Sequence, residues 1–572
     1  MPSNTMNDHG TGHVTNGNPP DKWRATPGGS SKGVISHDNE WYGLKVPKRM
    51  VIVFNNIQGA PVQCPASTQR IGHQLRGTLL LQDINLLELI QHVTHERIPE
   101  RWVDRSRFRE FGLTMLLQTG ACQSAAFLSE VGKETKLFTR LSTVAGERGS
   151  AETVRDSRGF AFKLRTEEGI LDWMFLSTPV FPIRDGAKFP SFTHATKRNP
   201  SSGLPDHDMF WDYFNHNQEG IHFLMFIFSD RATPIGYQHA DCFSIHSYRF
   251  TKKDGTFTYV KVHVKAHDGV KNFDASAAQS MAGKDPDFHT RYLNQTLKRG
   301  QDNARSSKPV WDVFAQLIDP AKVETCDIDI FDPTKTLPQG PYPLVKFGEI
   351  YLDSNAKDFF AESEQSAFSP TNIVPGWALS PDPILQTRVL AYADTQRYRL
   401  GTNFIQLPIN KPENSYTPLN RDGGSNYENP GEGIPNYYPA DSLEYPPAPQ
   451  YAQPDEECWT GKVRNFQSEV VDADFVQARC FWEEVLAQED GQQKNFVNNV
   501  AAHLAQVSNP KLRMDIYSMF SCVNKELGDW IKSCTEPKTG TPVKMMAKLN
   551  IDNRKAKGVA NSTGPNAGIF GS

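Results

Sequence analysis

The sequence predicts an α+β protein: an antiparallel β core, barrel or sandwich, with an N-terminal arm before it, a wrapping segment after it and a C-terminal helical unit; the resemblance given below decides for an antiparallel β-barrel core. Three observations carry that expectation. From about Lys136 to Asp353, apolar residues alternate with small or polar ones at a spacing of two, the period of strands with one buried face. Residues 409–457 are loaded with Pro, Asn, Gly, Tyr and Asp, a composition that resists regular structure. Beyond them, apolar residues recur at helical spacing.

In chain order, residues 1–45 carry Gly, Asn, Ser, Pro and His with little hydrophobic periodicity, so they are expected to form a mobile or surface-wrapping arm. One β domain, barrel or sandwich, is expected over 46–408. Within it, Leu86, Leu87, Ile90 and Val93 mark an amphipathic helix over Asp83–Glu96, opened by an acidic cap and ended near Pro99. Phe160, Phe162 and Leu164 alternate along one strand, as do Val260, Val262 and Val264 along another. Lys253-Asp254-Gly255 is a turn signal between Ser247–Thr251 and Thr256–Val264, which makes that pair an antiparallel hairpin rather than a βαβ unit. The 409–457 segment should run over the surface as a linker. Helices are expected over 458–510, where Phe475, Ala478, Phe481, Trp482, Val485 and Leu486 are followed by Phe496, Val500 and Leu504, with a helical or irregular extension over 511–572.

With 572 residues the chain can bury a sizeable core and a cofactor. A formal charge of −4 gives no field for gathering phosphates, which argues against nucleic acid or an anionic membrane as partner. The eight cysteines are scattered without a CxxC pair, and neither a signal-peptide core nor an 18-residue apolar run is present. Those features point to a reducing compartment. The expectation is a cytoplasmic protein, with the peroxisome left open although the chain ends without a Ser-Lys-Leu address.

Nucleotide-loop, zincin and serine-hydrolase motifs are absent. Two clusters have metal-like spacing, Glu88/His92/His95 and His239/Cys242/His246, but neither brings the fourth ligand of a closed site, and both read better as surface or packed residues. The segment Arg388-Val389-Leu390-Ala391-Tyr392-Ala393-Asp394-Thr395 says more. Arg388 and Tyr392 are four residues apart on one helical face, so the guanidinium can bond the phenol and hold it as phenolate, a hard ligand for iron. On its own this stretch is also compatible with an ordinary amphipathic helix.

This segment resembles the haem-ligand signature of haem catalases, with Leu390 where Phe is usual. The stretches His95–Arg101, Arg140–Glu147, Arg155–Phe160, Phe189–Phe192, Lys197–Pro200, Phe228–Arg231 and Pro435–Pro439 resemble the same family, in the same order, over about 57–505. The resemblance implies the haem catalase fold, haem b as cofactor and a homo-oligomer, dimer or tetramer. It makes Tyr392 the axial iron ligand, with Arg388, His246 and Asp382 behind it. Arg101, Arg140 and Arg399 would bind the haem propionates, and Val103, Ser142, Phe181 and Phe189 would line the distal side. A second pocket, which holds NADPH in many members, corresponds to His222, Phe226, Ser229, Arg231, Lys265, Gln477, Phe481 and Val485. There Asp241, Phe243, Leu337 and Gln339 replace Asn, Tyr, Trp and His, so an aromatic or cationic organic molecule becomes a credible occupant, with Asp241 as its counter-ion.

Two departures bear on chemistry. Asp104 stands where the family resemblance places the distal His, and Leu176 where it places the distal Asn. Losing a positioned acid/base typically costs ~10²–10⁴-fold. A retained haem site with an altered distal pocket (Asp104, Ser142, Leu176) leads to the expectation of changed chemistry: an oxidoreductase using O₂ or superoxide for radical oxidative cyclisation of a small indole precursor, similar to the fungal catalase-like chanoclavine synthases of ergot alkaloid biosynthesis. The alternatives are a residual catalase or peroxidase acting on hydrogen peroxide, or a non-catalytic haem- or NADPH-binding homologue.

Overall fold

The computed structural model describes residues 67–71, 78–80, 83, 86–87, 89–90, 110–117, 125–147, 149–252, 254–300, 308–413, 423–426, 435, 437 and 461–536. The 1–45 arm, Arg101, Val103, Asp104, Glu88, His92, His95 and most of 409–457 lie outside them. Two short strands, β1 (Thr68–Ile71) and β2 (Thr78–Leu79), come first. The main sheet then takes β3 (Glu110–Leu117), β4 (Glu134–Thr143), β5 (Arg158–Thr166), β6 (Gly169–Leu176), β7 (Cys242–Phe243), β8 (Tyr248–Thr251), β9 (Phe257–Ala266), β10 (Val310–Ile318), β11 (Val345–Asn355) and β12 (Trp377–Ala378). A last strand, β13 (Val463–Phe466), pairs antiparallel with β1.

Sheet order is β10-β11-β3-β4-β5-β6-β7-β9-β8-β12, and β9 pairs with β10 as well. That extra pairing, running from Trp311 opposite Ala266 to Ile318 opposite Tyr259, joins the two sides of the sheet into a closed antiparallel barrel. Closure leaves those strands without a free edge. The expected hairpin is present: β8 and β9 pair from Tyr248 opposite Val260 to Thr251 opposite Phe257, around a turn in which Gly255 has φ +87°. Only a residue without Cβ takes that conformation without strain.

Alternation decides what fills the barrel. Phe160, Phe162 and Leu164 on β5, and Val260, Val262 and Val264 on β9, are buried in one apolar core with Trp173, Phe175, Trp311 and Val313. Each such side chain contributes about 1.5–3 kcal/mol by leaving water. A second core joins the helices His207–His216 and Ile221–Phe228 to the C-terminal part, where Phe475, Ala478, Phe481, Trp482, Leu486, Phe496, Val500 and Leu504 are all buried. Helices Ala473–Cys480, Gln492–Leu504, Pro510–Val523 and Lys525–Thr535 build that part. Asp83 accepts the Leu86 N–H at 3.2 Å, as an acidic helix cap would. No helix among the described residues is long and apolar enough to cross a membrane.

Candidate functional site

The helix Pro383–Leu400 begins where its sequence says it should. Asp382 accepts the N–H groups of Ile384 and Leu385 at 2.9 and 3.1 Å, and Pro383 occupies the first turn, where its missing N–H costs nothing. It lies close against the segment after β6: a Cβ on Gly186 would come within 2.8 Å of Thr387 Cβ. One turn further on, Arg388 donates from Nη2 to the Tyr392 hydroxyl oxygen at 3.0 Å and to the Met174 carbonyl at 3.3 Å. Burial opposes the Arg388 charge, but Tyr392, Tyr248 and Asp382 together outweigh it and push the guanidinium above its ordinary value. A firmly cationic group therefore faces the phenol oxygen.

Asp382 also accepts from His246 Nδ1 at 2.7 Å, with both side chains fully buried. Burial lowers the His246 pKa in spite of the carboxylate, so the contact is a neutral imidazole donating to a carboxylate rather than an ion pair. His246 is presented by a feature that sequence reasoning missed. The chain leaves β7 and resumes as β8 along the same β9 strand, and between them Ile245 sits at φ +62°, while His246 N–H bonds the Ser244 carbonyl at 2.6 Å. A β-branched residue in that region is strained by ~1–3 kcal/mol and persists only when its surroundings enforce it. Here Lys261 Nζ donates to the Ile245 carbonyl at 2.8 Å, and Ser244 Oγ donates to the His246 carbonyl at 2.9 Å. Neither Gly nor Asn marks the position, so nothing in the sequence signals it.

Eight of the residues expected around the haem line a single cavity of about 410 Å³: Arg140, Ser142, Leu176, Phe181, Phe189, His246, Arg388 and Tyr392. Phe181 and Phe189 stack with centroids 6.4 Å apart. Arg140 and Arg399 both donate to the Ser366 carbonyl, at 3.1 and 2.7 Å. Burial, then the neighbouring Arg399, pushes Arg140 down to about 9, and burial pushes Arg399 down to about 10. A buried guanidinium and a half-buried one held on the same carbonyl suit a ligand with two carboxylates. The donor set as a whole fits haem: a phenol oxygen backed by a cation for the iron, paired cations for the propionates and apolar walls for the porphyrin.

Most residues of the second expected pocket have partners within the protein. Phe226 and Phe481 lie with centroids 4.4 Å apart, next to His222, which burial and Lys335 push down to about 3. Gln477 is tied to Thr336, and Val485 packs on the C-terminal core. Ser229 donates to the Phe226 carbonyl. Leu337 is buried with Tyr259 and Phe331, whereas Gln339 is exposed. Asp241 does not offer an open counter-ion. Its Oδ1 accepts the Ala266 N–H at 2.8 Å, and burial raises the carboxyl's pKa against the opposing pull of that N–H, Lys265 and Arg231. Arg231 itself pairs with Glu489 at 2.8 Å, and Phe243 meets the His263 ring edge-on. The His239, Cys242 and His246 side chains do not converge; His239 contacts the Gly269 carbonyl while His246 turns to Asp382.

Residues 55–443 match the protein family described as Catalase. Catalase A of Botryotinia fuckeliana is 63% identical over 457 residues, covering 80% of this chain and 94% of that protein. The peroxisomal catalase of Candida tropicalis is 41% identical over 489 residues, covering 84% and 98%. A solved structure of catalase A from Saccharomyces cerevisiae superposes with a TM-score of 0.73 at 39% identity, covering 85% of this chain and 99% of that one. These matches overturn the expectation of an O₂- or superoxide-dependent oxidative cyclase for an indole alkaloid precursor: the relatives, matched along nearly their whole length, are named catalases. The physical error lay in reading two distal substitutions as new chemistry. With burial disfavouring its charge, Asp241 gives no support to a cationic alkaloid either.

Proposed function

The chain belongs to the catalase family, and from that premise we propose that it decomposes hydrogen peroxide, two molecules giving two of water and one of O₂, at a haem held by Tyr392. The single observation that carries this reading is the Arg388–Tyr392 pair opening on the 410 Å³ cavity, in a chain 63% identical to a named catalase. Haem, when bound, supplies the redox chemistry. The protein's own residues hold, orient and exclude. Arg388 stabilises negative charge on the Tyr392 oxygen, which suits it to ligate iron. Arg140 and Arg399 would pair with the propionates, with Arg101 as a third cation. Phe181 and Phe189 keep the site dry, and Ser142 offers a hydroxyl on the wall that carries Leu176.

Asp104, next to Val103 in sequence, stands where the family resemblance places the distal His, so it takes a polar or structural role, and any proton transfer there would fall to a carboxylate. A carboxylate is a weaker base than imidazole, so peroxide turnover should fall short of a His-equipped site by up to ~10²–10⁴-fold. For the second cluster we assign a nucleotide such as NADPH, supported by the Phe226–Phe481 pair and by Arg231 and Lys265, with weaker stacking because Leu337 and Gln339 bring no aromatic ring. The assembly would be a homo-oligomer. The peroxisome joins the cytosol as its compartment, since the Candida tropicalis relative is named peroxisomal. An oxygen electrode tests the reading: haem-loaded protein should release one O₂ for every two peroxides consumed, and consumption without O₂ release would contradict it.

A further inference from the structure

The cavity that reaches Tyr392 has a second polar stretch of wall, built by elements that the haem-side residues do not use. His503, on the Gln492–Leu504 helix, lines it together with Phe210, Phe228 and Arg155. Trp211 Nε1–H donates to His503 Nδ1 at 2.8 Å. An indole N–H can only donate, so Nδ1 must accept, and the ring proton of a neutral imidazole must then sit on Nε2. Edge contacts with His207, Phe210 and Phe228, at 4.3, 5.0 and 5.4 Å between centroids, fix the ring's orientation. Burial, helped by His207 and Arg155, pushes His503 down to about 3, which keeps it neutral.

The only hydrogen bond that His503 makes with the described residues is the one from Trp211, which leaves Nε2–H without an acceptor among them. Arg155 is in a similar condition. Its Nη1 donates to the Ile227 and Ser229 carbonyls, while Nη2, ion-paired with Asp230 at 3.7 Å, is buried with no hydrogen-bond partner among the described residues. Asp156, which lines the same cavity, has Oδ2 occupied by the N–H groups of Val144 and Ala145. Buried polar groups are almost always satisfied, so the buried Arg155 Nη2, with the partly buried His503 Nε2–H on the same cavity wall, marks a place for an acceptor.

We infer that His503 is a substrate-positioning residue: its Nε2–H, fixed by Trp211 and with Arg155 nearby, binds hydrogen peroxide at a station in the cavity apart from Tyr392. The inference rests on the catalase reading and deepens it, since it makes the C-terminal helical unit complete the substrate path. A neutral donor suits an uncharged peroxide, whose oxygens accept while its own protons stay in place.

The test compares haem-loaded wild type, His503→Leu and His503→Gln by O₂ release against peroxide concentration, with the Soret band and thermal melt recorded for each. His503→Leu is expected to raise KM about three- to tenfold at unchanged kcat, the loss of one hydrogen bond. His503→Gln should recover most of that loss, because its amide also donates. A merely structural histidine would shift the melt and leave KM alone. Trp211→Phe, which keeps the imidazole but frees its tautomer, should also raise KM, and it carries the test if the Leu variant does not fold. Wild type that releases no O₂ overturns the catalase reading and this inference together. Active wild type with an unchanged KM in His503→Leu, or in Trp211→Phe where that variant stands in, overturns this inference alone.

Discussion

Asp382 joins the barrel to the helix that carries Tyr392, and removing its carboxylate should weaken both. In Asp382→Ala, the N–H groups of Ile384 and Leu385 lose their cap, which costs about 1 kcal/mol. His246 Nδ1, bonded at 2.7 Å in the native protein, is left buried and unmet at a further cost of about 1–3 kcal/mol. The sum is about 2–4 kcal/mol. Asp382→Asn keeps a capping oxygen, since Asn caps about as well as Asp, and keeps a partner for the imidazole. It should therefore lose less than half as much. Urea unfolding of the haem-loaded protein, followed by tryptophan fluorescence, measures both. The expected order of stability is wild type, Asp382→Asn, Asp382→Ala. An Asp382→Ala protein within about 0.5 kcal/mol of wild type would refute the linkage.

Arg399→Met removes one of the two adjacent guanidiniums and should weaken haem retention by about 10–100-fold, the worth of one charge-assisted hydrogen bond, read as haem transfer to an acceptor protein; unchanged transfer would rule out a propionate role. Asp104→His should raise O₂ release by up to ~10²–10⁴-fold on an oxygen electrode, and no gain would show that the distal base does not limit turnover. Stability should fall as the solution is acidified. Burial holds His222, His289 and His503 down to about 3 and His263 to about 4, against about 6.5 in the unfolded chain. Because the unfolded chain binds more protons below pH 6.5, each buried imidazole removes up to about 2 kcal/mol between pH 7 and pH 5, and denaturation midpoints at the two pH values should differ accordingly. Equal midpoints would mean that these imidazoles protonate without unfolding.

What could be read from the sequence was what short-range periodicity encodes. Alternation along Phe160–Leu164 and Val260–Val264 identified inward faces because neighbouring side chains on a strand point to opposite sides. The spacing of Arg388 and Tyr392 placed them on one helical face, and they meet at 3.0 Å. Barrel closure was not legible in the same way, since it depends on β9 pairing with β10 and on a two-residue β7, neither of which leaves a local pattern. His246 and Asp382, 136 positions apart, were linked only through family resemblance. Ile245 carries no residue-type signal for its positive φ, and His503 reaches the cavity only because the C-terminal helices pack on His207–His216. The functional misreading had a different source: two distal substitutions were weighed above the similarity of the rest of the chain.

The most direct test of the central claim is the absorption spectrum and peroxide-driven O₂ release of the haem-loaded protein beside Tyr392→Phe. The account predicts that wild type shows the spectrum of phenolate-ligated ferric haem and releases O₂, and that Tyr392→Phe loses both while keeping its fold. An identical spectrum and identical O₂ release from the two proteins would contradict it.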